Sequence, residues 1–366
     1  MSDWFSPGKL GYAQDRWLAY VHGWMLTQCR LLIHRRAVCR SRGRRGRSNF
    51  MLDGVMSIVT LTMNPAIDIS ADVAQVLPTH KLRCTSVRRD PGGGGINVAR
   101  VISRLGGNVR AVFPVGGQIG DLLRRLVDAE NIPNETIPLS QDTRESFTVE
   151  ESKTGQQYRF LLPGPELTHA ECRKCLAAVA QMQPAPSFFV ASGGLPAGVP
   201  DDFFARAAQA AKALGAKVVV DTSGPALAAV LEEGVFLIKP NLRELQELVG
   251  SELSGREQQI MAARELIERG AAEAVALTLG QHGGLLVTRR EAQYAPGLPV
   301  EPVSTVGAGD SFLGAMIWSL AAGQGFENAF RYGMAAGSAA LLSAGTQLCK
   351  ADDVLRLHRQ VYLQPV

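Results

Sequence analysis

Residues 303–315 read Val-Ser-Thr-Val-Gly-Ala-Gly-Asp-Ser-Phe-Leu-Gly-Ala. Three small residues, Gly307, Ala308 and Gly309, lead into Asp310, and an apolar, helix-forming run follows. This order predicts a helix that begins beside a carboxylate, with unpaired backbone N–H groups in its first turn. The carboxylate of Asp310 could take a proton from a hydroxyl, while the amides of residues 307–310 form an anion hole for a moving phosphoryl group. The stretch therefore favours phosphoryl transfer to an alcohol.

Outward from this stretch, strand-like and helix-like segments alternate from residue 57 onward. Strand candidates are Ile58–Leu61, Val109–Val115, 188–191, Lys217–Asp221, 236–239 and 274–279, and helix candidates are 95–105, 119–128, 201–214 and 256–269. The alternation predicts an α/β fold, with a mostly parallel central sheet flanked by helices.

Two stretches interrupt the alternation, at about 66–88 and 144–162. Both contain β-type runs without helices, and Lys153-Thr-Gly155 is typical of a hairpin turn. We expect these stretches to form a small β-sheet lid over the main sheet. The edge of such a lid could pair with a second copy of the chain, so a homodimer through the lid is expected.

Charge is distributed unevenly along the 366 residues, whose formal net charge is +4. Residues 1–55 carry ten Lys/Arg against three Asp/Glu, so the remainder is mildly acidic. We interpret 1–55 as a basic N-terminal extension, disordered or upstream of the native start, and 56–366 as one catalytic domain. A basic tail that touches nucleic acid or membrane lipid is the alternative for the extension, although neither a nucleic acid nor a membrane partner is expected. Six scattered cysteines favour a reduced, cytoplasmic protein.

Polar residues follow several of the predicted strands, where ligands gather in α/β sheets. Asp68 follows the first strand and could accept hydrogen bonds from sugar hydroxyls, although a turn cap is an equal reading. The loop Pro91-Gly-Gly-Gly-Gly-Ile-Asn97 would let the backbone approach a sugar near Asn97, or would simply be flexible. Asn241 and Glu244 could serve Mg²⁺ on nucleotide phosphates or form a capping box.

Three basic side chains flank the sugar-side motifs: Lys81, Arg83 and Arg144. Solvated surface charge is the ordinary meaning of such residues. At these positions they could instead hold a substrate phosphate, with arginine supplying bidentate contacts.

These motifs, in this order, resemble the phosphofructokinase-B, or ribokinase-like, family of sugar kinases over about residues 56–357. The glycine loop with Asn97 is similar to the first family signature, Thr305-Val-Gly-Ala-Gly-Asp310 to the second, and Asn241-Leu-Arg-Glu244 to the magnesium motif. The resemblance implies a ribokinase-like fold and the cofactors ATP, Mg²⁺ and K⁺.

The resemblance also assigns roles residue by residue. Sugar binding would fall to Asp68, Gly93, Gly94, Gly95 and Asn97, and ATP binding to Lys239, Asn241, Thr278, Gly280 and Gly283. A potassium ion behind the anion hole would be touched by Ser304, Val306, Ala340, Ser343, Gly345 and Gln347. Ser343 and Gln347 depart from the expected Asn and Arg, which leaves the preference among cations open.

Within this family the chain resembles the branch that phosphorylates fructose 6-phosphate at its 1-hydroxyl, a step of glycolysis. Kinases for fructose 1-phosphate or tagatose 6-phosphate usually carry a lysine at the third loop position, where this chain has Gly94. The substrate phosphate would then be held by Lys81, Arg83 and Arg144. A tagatose-6-phosphate kinase and a 1-phosphofructokinase remain the enzymatic alternatives, and a silent sugar-phosphate sensor is the non-enzymatic one.

Overall fold

The structure, a computed structural model, describes residues 57–366. The expected extension over 1–55 lies outside the described residues. Strands within the described part are β1 Ile58–Leu61, β2 Ala66–Val73, β3 Thr85–Gly92, β4 Val109–Val115, β5 Asn134–Pro138, β6 Arg144–Glu151, β7 Gln157–Leu161, β8 Phe188–Ser192, β9 Lys217–Asp221, β10 Val235–Ile238, β11 Ala272–Thr278, β12 Gly284–Thr288, β13 Ala292–Ala295 and β14 Gln364–Pro365.

Helices directly follow seven of these fourteen strands. They are α1 Gly94–Arg104, α2 Gly117–Ala129, α3 His169–Ala180, α4 Phe203–Ala213, α5 Gly224–Leu231, α6 Leu242–Val249, α7 Arg256–Glu268, α8 Ala308–Ala321, α9 Phe326–Ala340 and α10 Ala351–His358. Across residues 57–366, no helix is both long enough and apolar enough to cross a membrane.

Ten strands form the main sheet, in the order β14-β13-β12-β11-β10-β9-β8-β1-β4-β5. The seven strands from β11 to β5 pair in parallel, whereas β11 to β14 pair antiparallel at one edge. The predicted α/β class with a mostly parallel central sheet is confirmed.

Both faces of this sheet are covered, as its uninterrupted apolar strands require. In β8, Phe188 and Val190 contribute to the core beneath α1, α2, α8, α9 and α10. Their neighbours Phe189 and Ala191 contribute to the second core, beneath α3 to α7. Parallel strands sandwiched in this way bring their carboxyl ends to one edge, where the polar residues of the sequence motifs collect.

A separate four-stranded sheet, in the order β3-β2-β6-β7, is formed by the two stretches predicted as a lid. Its β6–β7 hairpin is antiparallel, as the turn at Gly155 predicted. Along β2 the apolar residues Ile67, Ile69 and Ala71 are buried. The intervening Asp68 lies on the opposite face, paired with Asp90 on β3 and Ser146 on β6.

Helix α8 is held tightly between α1 and α9. A Cβ added at Gly314 of α8 would lie 2.8 Å from Val101 Cβ on α1. One added at Gly333 of α9 would lie 3.0 Å from Phe312 Cε2 on α8. Glycine at these two positions lets the neighbouring helices approach α8 closely. This packing fixes the position of the helix that carries Asp310.

Candidate active site

The Gly-Ala-Gly-Asp stretch forms the N-terminus of α8, as the sequence predicted. Gly307 is the N-cap, with a left-handed φ of 74°. A side chain there would be strained and would also meet Leu348, because a Cβ would lie 2.4 Å from Leu348 Cδ2. Asp310 occupies the first helical turn. The turn therefore presents its carboxylate beside first-turn amides, which have no carbonyl partner within the helix.

Asn97 of the glycine loop reaches Asp310 across the site. Its side-chain Nδ2 donates a 2.9 Å hydrogen bond to Asp310 Oδ2. The pKa of Asp310 is raised to about 6, chiefly by burial and next by the charge of Asp221, while the bond from Asn97 and the nearby Lys239 oppose the rise. At neutral pH the carboxylate is ionised, yet its pKa lies close enough to pH 7 for efficient proton transfer.

Lys239 brings a positive charge to the same place. Its buried Nζ lies 3.1 Å from Asp221 Oδ1 and would lie 3.3 Å from a Cβ on Gly309. Burial alone would lower the pKa of Lys239, but the charge of Asp221 and the hydrogen bond to it outweigh burial and raise this pKa. The ammonium therefore stays protonated beside the anion hole.

The glycine loop is packed closely against strand ends. A Cβ added at Gly94 would lie 2.3 Å from Ser192 Oγ and 2.9 Å from the backbone nitrogen of Gly193. At Gly92 it would lie 2.3 Å from Asp68 Oδ2. The neighbouring Gly93 and Gly95, also predicted to bind the sugar, form the N-cap and the second residue of α1. The loop thus brings backbone, not side chains, up to Asp68 and Asn97.

Asp68 lies on the lid face that looks into this site. Its pKa is raised to about 6, because burial outweighs the opposing charges of Arg144, Arg159 and Arg100. The guanidinium of Arg144 donates to the carbonyls of Asn64 at 3.2 Å and Leu162 at 3.3 Å. The structure therefore brings together four of the predicted residues: Asp68, Asn97, Arg144 and Asp310.

Arg159 was missed by the sequence analysis. It lies on β7 opposite Thr148 of β6, and it belongs to the lid face of Asp68, since Ser146 of β6 pairs with Asp68. The signal was present, because side chains alternate along a strand and the hairpin was predicted. Asp68 pairs with Ser146 of β6, and Thr148, two residues further along β6, pairs with Arg159 of β7. Following this alternation would have placed Arg159 on the face of the lid that carries Asp68.

Lys81 and Arg83 are not brought to this site within one chain. Both are exposed in the loop between β2 and β3, at the far end of the lid. The paired register ends at Asp72 and Thr85, four residues along β2 from Asp68. At ~3.3 Å per residue that is about 13 Å from Asp68 before the loop begins.

Four of the five predicted nucleotide residues, all except Lys239, line one cavity of ≈ 510 Å³ next to α8. Its walls include Asn241, Thr278, Gly280 and Gly283, together with Ala308 and Gly309 of the predicted anion hole. Phe312, Met334 and Leu341, which the sequence analysis did not identify, supply apolar lining. The cavity thus joins an apolar compartment to the amides beside Asp310, a combination suited to a base and its phosphates.

Asn241 and Glu244 form the capping box that was the structural alternative for their motif. Asn241 Oδ1 accepts from the Glu244 amide at 2.9 Å, and Glu244 Oε2 accepts from the Asn241 amide at 2.9 Å. Burial raises the pKa of Glu244, and the bond from Asn241 opposes this. The box leaves Oε1 of Glu244 for a metal-bound water, so the oxygen donors fit Mg²⁺.

The residues predicted to touch K⁺ belong to two adjoining segments. Leu341 O accepts hydrogen bonds from the amides of Val303 at 2.7 Å and Ser304 at 3.4 Å, which places residues 303–306 beside 340–347. The six predicted contacts are the buried Ser304, Val306, Ala340 and Ser343, and the partly exposed or exposed Gly345 and Gln347. Carbonyl and hydroxyl oxygens of these segments are donors of the type that an alkali cation uses.

Known proteins are similar to this chain over most of its length. ATP-dependent 6-phosphofructokinase isozyme 2 of Mycobacterium tuberculosis is 47% identical over 304 residues, covering 83% of this chain and 89% of the relative. The protein of that name from Escherichia coli is 41% identical, covering 83% of this chain and 98% of the relative.

Solved structures of Escherichia coli phosphofructokinase-2 superpose on the described fold. The complex with potassium has a TM-score of 0.80 at 40% identity, covering 83% of this chain and 99% of that one. The complex with fructose-6-phosphate has a TM-score of 0.79 at 39% identity, with the same coverage. The same protein has also been solved in a tetrameric inhibited form, with a TM-score of 0.79.

Residues 57–353 match the family described as pfkB family carbohydrate kinase. That span contains the glycine loop, the capped helix α6 and the Gly-Ala-Gly-Asp turn of α8. It confirms the resemblance drawn from these motifs, and the chain belongs to the pfkB family of carbohydrate kinases.

Proposed function

We propose that this protein is an ATP-dependent 6-phosphofructokinase, which transfers the γ-phosphoryl group of ATP to the 1-hydroxyl of fructose 6-phosphate. The observation that carries the proposal is Asp310, held 2.9 Å from Asn97 Nδ2 at the start of α8. Around it lie the phosphosugar residues on one side and the ≈ 510 Å³ cavity on the other. The names of the 47% and 41% identical relatives support the choice of substrate.

In the proposed reaction the oxygen of the 1-hydroxyl attacks the γ-phosphorus while the bond from that phosphorus to the bridging oxygen of ADP breaks. The hydroxyl proton passes to a carboxylate oxygen of Asp310. Asn97 orients that carboxylate, and Asp68 accepts hydrogen bonds from the sugar. Phosphoryl transfer needs positioning and charge stabilisation more than covalent help, which is what a packed α8 provides.

The negative charge of the transferring group falls on the amides of residues 307–310. Lys239 adds a fixed positive charge, since its Nζ is adjacent to Gly309. Asn241 and Glu244 would hold Mg²⁺, which neutralises the nucleotide phosphates when bound. Ser304, Val306, Ala340 and Gly345 would hold K⁺ behind the turn, with Ser343 and Gln347 completing the contacts.

For the 6-phosphate, Arg144 and Arg159 are the lid cations that act on Asp68 within one chain, whereas Arg100 is buried and paired with Glu130. Lys81 and Arg83 can join them only from a second copy, because their loop lies at the far end of the lid. The exposed apolar side chains Val87 and Phe160, 54% and 56% exposed, supply a surface for that copy on the lid. We therefore propose a homodimer that pairs through the lid and exchanges these two residues.

A substrate panel tests the proposed function. Initial rates with ATP, Mg²⁺ and K⁺ are compared for fructose 6-phosphate, tagatose 6-phosphate and fructose 1-phosphate, with Asp310→Asn as the control for contaminating kinases. We expect fructose 6-phosphate to give the highest kcat/KM. A higher value for either other sugar would replace the substrate assignment, and binding without turnover of any of them would favour the sensor.

A further inference from the structure

Arg100 of α1 is the largest fully buried polar side chain among residues 57–366, with 1% of its surface exposed. Its guanidinium is paired with Glu130 by Nε at 2.8 Å and by Nη2 at 2.7 Å. The third nitrogen, Nη1, donates to Pro91 O at 3.0 Å, Thr346 O at 3.1 Å and Asn97 Oδ1 at 3.2 Å. A buried guanidinium is costly unless it is satisfied in this way, so its position is tightly defined.

We propose that Arg100 is a positioning residue for the phosphoryl transfer, because it fixes which end of the Asn97 amide faces Asp310. Arginine donates hydrogen bonds and accepts none, so only Oδ1 of Asn97 can face Nη1 of Arg100. Nδ2 must then point the other way, where it donates to Asp310 Oδ2. An amide turned by half a rotation would place Oδ1 against the carboxylate.

The same nitrogen connects three parts of the site. Pro91 is the second-last residue of β3, the lid strand that leads into the glycine loop, and Thr346 belongs to the segment after α9. Thr346 is tied to the lid as well, since its Oγ1 donates to Asp90 Oδ2 at 2.8 Å. Arg100 therefore fixes the positions of the glycine loop, of residues 344–347 and, through Asn97, of Asp310 relative to one another.

Arg104, one turn further along α1, offers a matched control. It shares Glu130, at 3.1 Å, and donates to the carbonyls of Gln347 and Cys349. It thus makes the same kinds of stabilising contact but does not touch Asn97. A merely structural arginine at position 100 should behave as Arg104 does.

The two arginines differ in their expected effect on the ionisation of Asp310. The groups that face this carboxyl are Asp221 at the end of β9, Lys239 after β10, Asn97 on α1 and Asp68 on β2. Of these, the bond from Asn97 is the one that Arg100 controls. Losing a fixed donor to the charged form raises the pKa of a carboxylic acid.

The test measures the pKa of Asp310 in the full chain, by ¹³Cγ chemical shift with Asp310→Asn used for assignment. Arg100→Met should raise that pKa by about one unit, because one hydrogen bond to a carboxylate is lost, and Arg104→Met should leave it unchanged. Arg100→Lys, which keeps the charge without the guanidinium geometry, carries the test if Arg100→Met does not fold. An unchanged pKa in the folded variant would overturn the proposal.

A kinetic cycle gives a second readout, and it depends on the proposed function. Arg100→Met should lower kcat about 100-fold with a smaller change in KM for ATP, and its effect should largely vanish in an Asn97→Ala background. Additive losses would mean that Arg100 does not act through Asn97. An inactive wild type would refute the proposed substrate but leave the chemical-shift test intact.

Discussion

The carboxyl group of Asp310 is buried, yet it must be ionised to act as a base. Burial disfavours the ionised form, so the ionised carboxylate lowers the stability of the folded protein. Its pKa of about 6 lies above the ordinary 3.8, so the folded state binds this proton more tightly than the unfolded state. The group therefore favours folding increasingly as the pH falls from 7 toward 5, and its ionised form destabilises the protein at pH 8.

Asp310→Asn should accordingly trade activity for stability. We expect kcat to fall by about 10²–10⁴-fold with KM for ATP nearly unchanged. The free energy of unfolding should rise by roughly 1–3 kcal/mol at pH 8, and about half of that gain should disappear at pH 5. Steady-state kinetics and urea unfolding at both pH values check this. A mild loss of kcat would show that Asp310 is not the base.

The pH profile should show the ionisation of the same carboxylate. Activity needs the ionised base, so kcat/KM for the sugar phosphate should fall as the pH drops through about 6. An ordinary aspartate would keep the profile flat down to about pH 5. Asp68 also titrates at about 6, so the profile of Asp68→Asn separates the two. Rates that stay constant to pH 5 would contradict this assignment.

Gly94 is required by its neighbours as well as by substrate choice. From the sequence, Gly94 is notable as the absence of a lysine, yet even a Cβ there would lie 2.3 Å from Ser192 Oγ. Gly94→Ala should lower kcat/KM about 100-fold, because the loop must shift away from Asn97. Gly325→Ala is the control, since nothing lies within 4 Å of its added Cβ. Equal activities for the two variants would show that the loop tolerates a side chain.

At the scale of elements, the start of α6 serves two proposed purposes with the same residues. Its capping box stabilises the helix whether or not a metal binds. Glu244→Gln separates the purposes, since glutamine also completes a capping box but is a weaker partner for Mg²⁺ and its waters. The melting temperature should be nearly unchanged while the Mg²⁺ concentration for half-maximal rate rises about tenfold. An unchanged Mg²⁺ requirement would leave Glu244 as a cap alone.

The lid is the element through which the proposed dimer would act. Phe160→Asp on β7 should give monomers in sedimentation analysis and raise KM for fructose 6-phosphate, because Lys81 and Arg83 would no longer reach the partner's site. Met261→Asp, an equally exposed apolar residue on α7 at 64%, is the control. Monomers with an unchanged KM would show that Lys81 and Arg83 do not bind the phosphate.

For the whole molecule, the sequence predicted the architecture because the evidence for it is local. Apolar strands such as Ile58–Leu61 and capped helices such as α6 can be recognised from their own residues. Arg100 and Arg159 escaped prediction because their roles depend on tertiary pairing: the first on a helix facing α8, the second on cross-strand register. Lys81 and Arg83 were assigned from their proximity along the chain, and a sequence cannot show that their loop follows the paired part of β2 and β3, beyond Asp72 and Thr85.

The glycine contacts of α8 with α1 and α9 have a consequence for how the enzyme would work. Close packing on two sides leaves the helix no room to slide, so the base and the anion hole stand ready before any ligand arrives. Any closure over the substrates would then be a movement of the lid and not of α8. In this protein the base and the anion hole would stay fixed, and the lid would bring the phosphosugar to them.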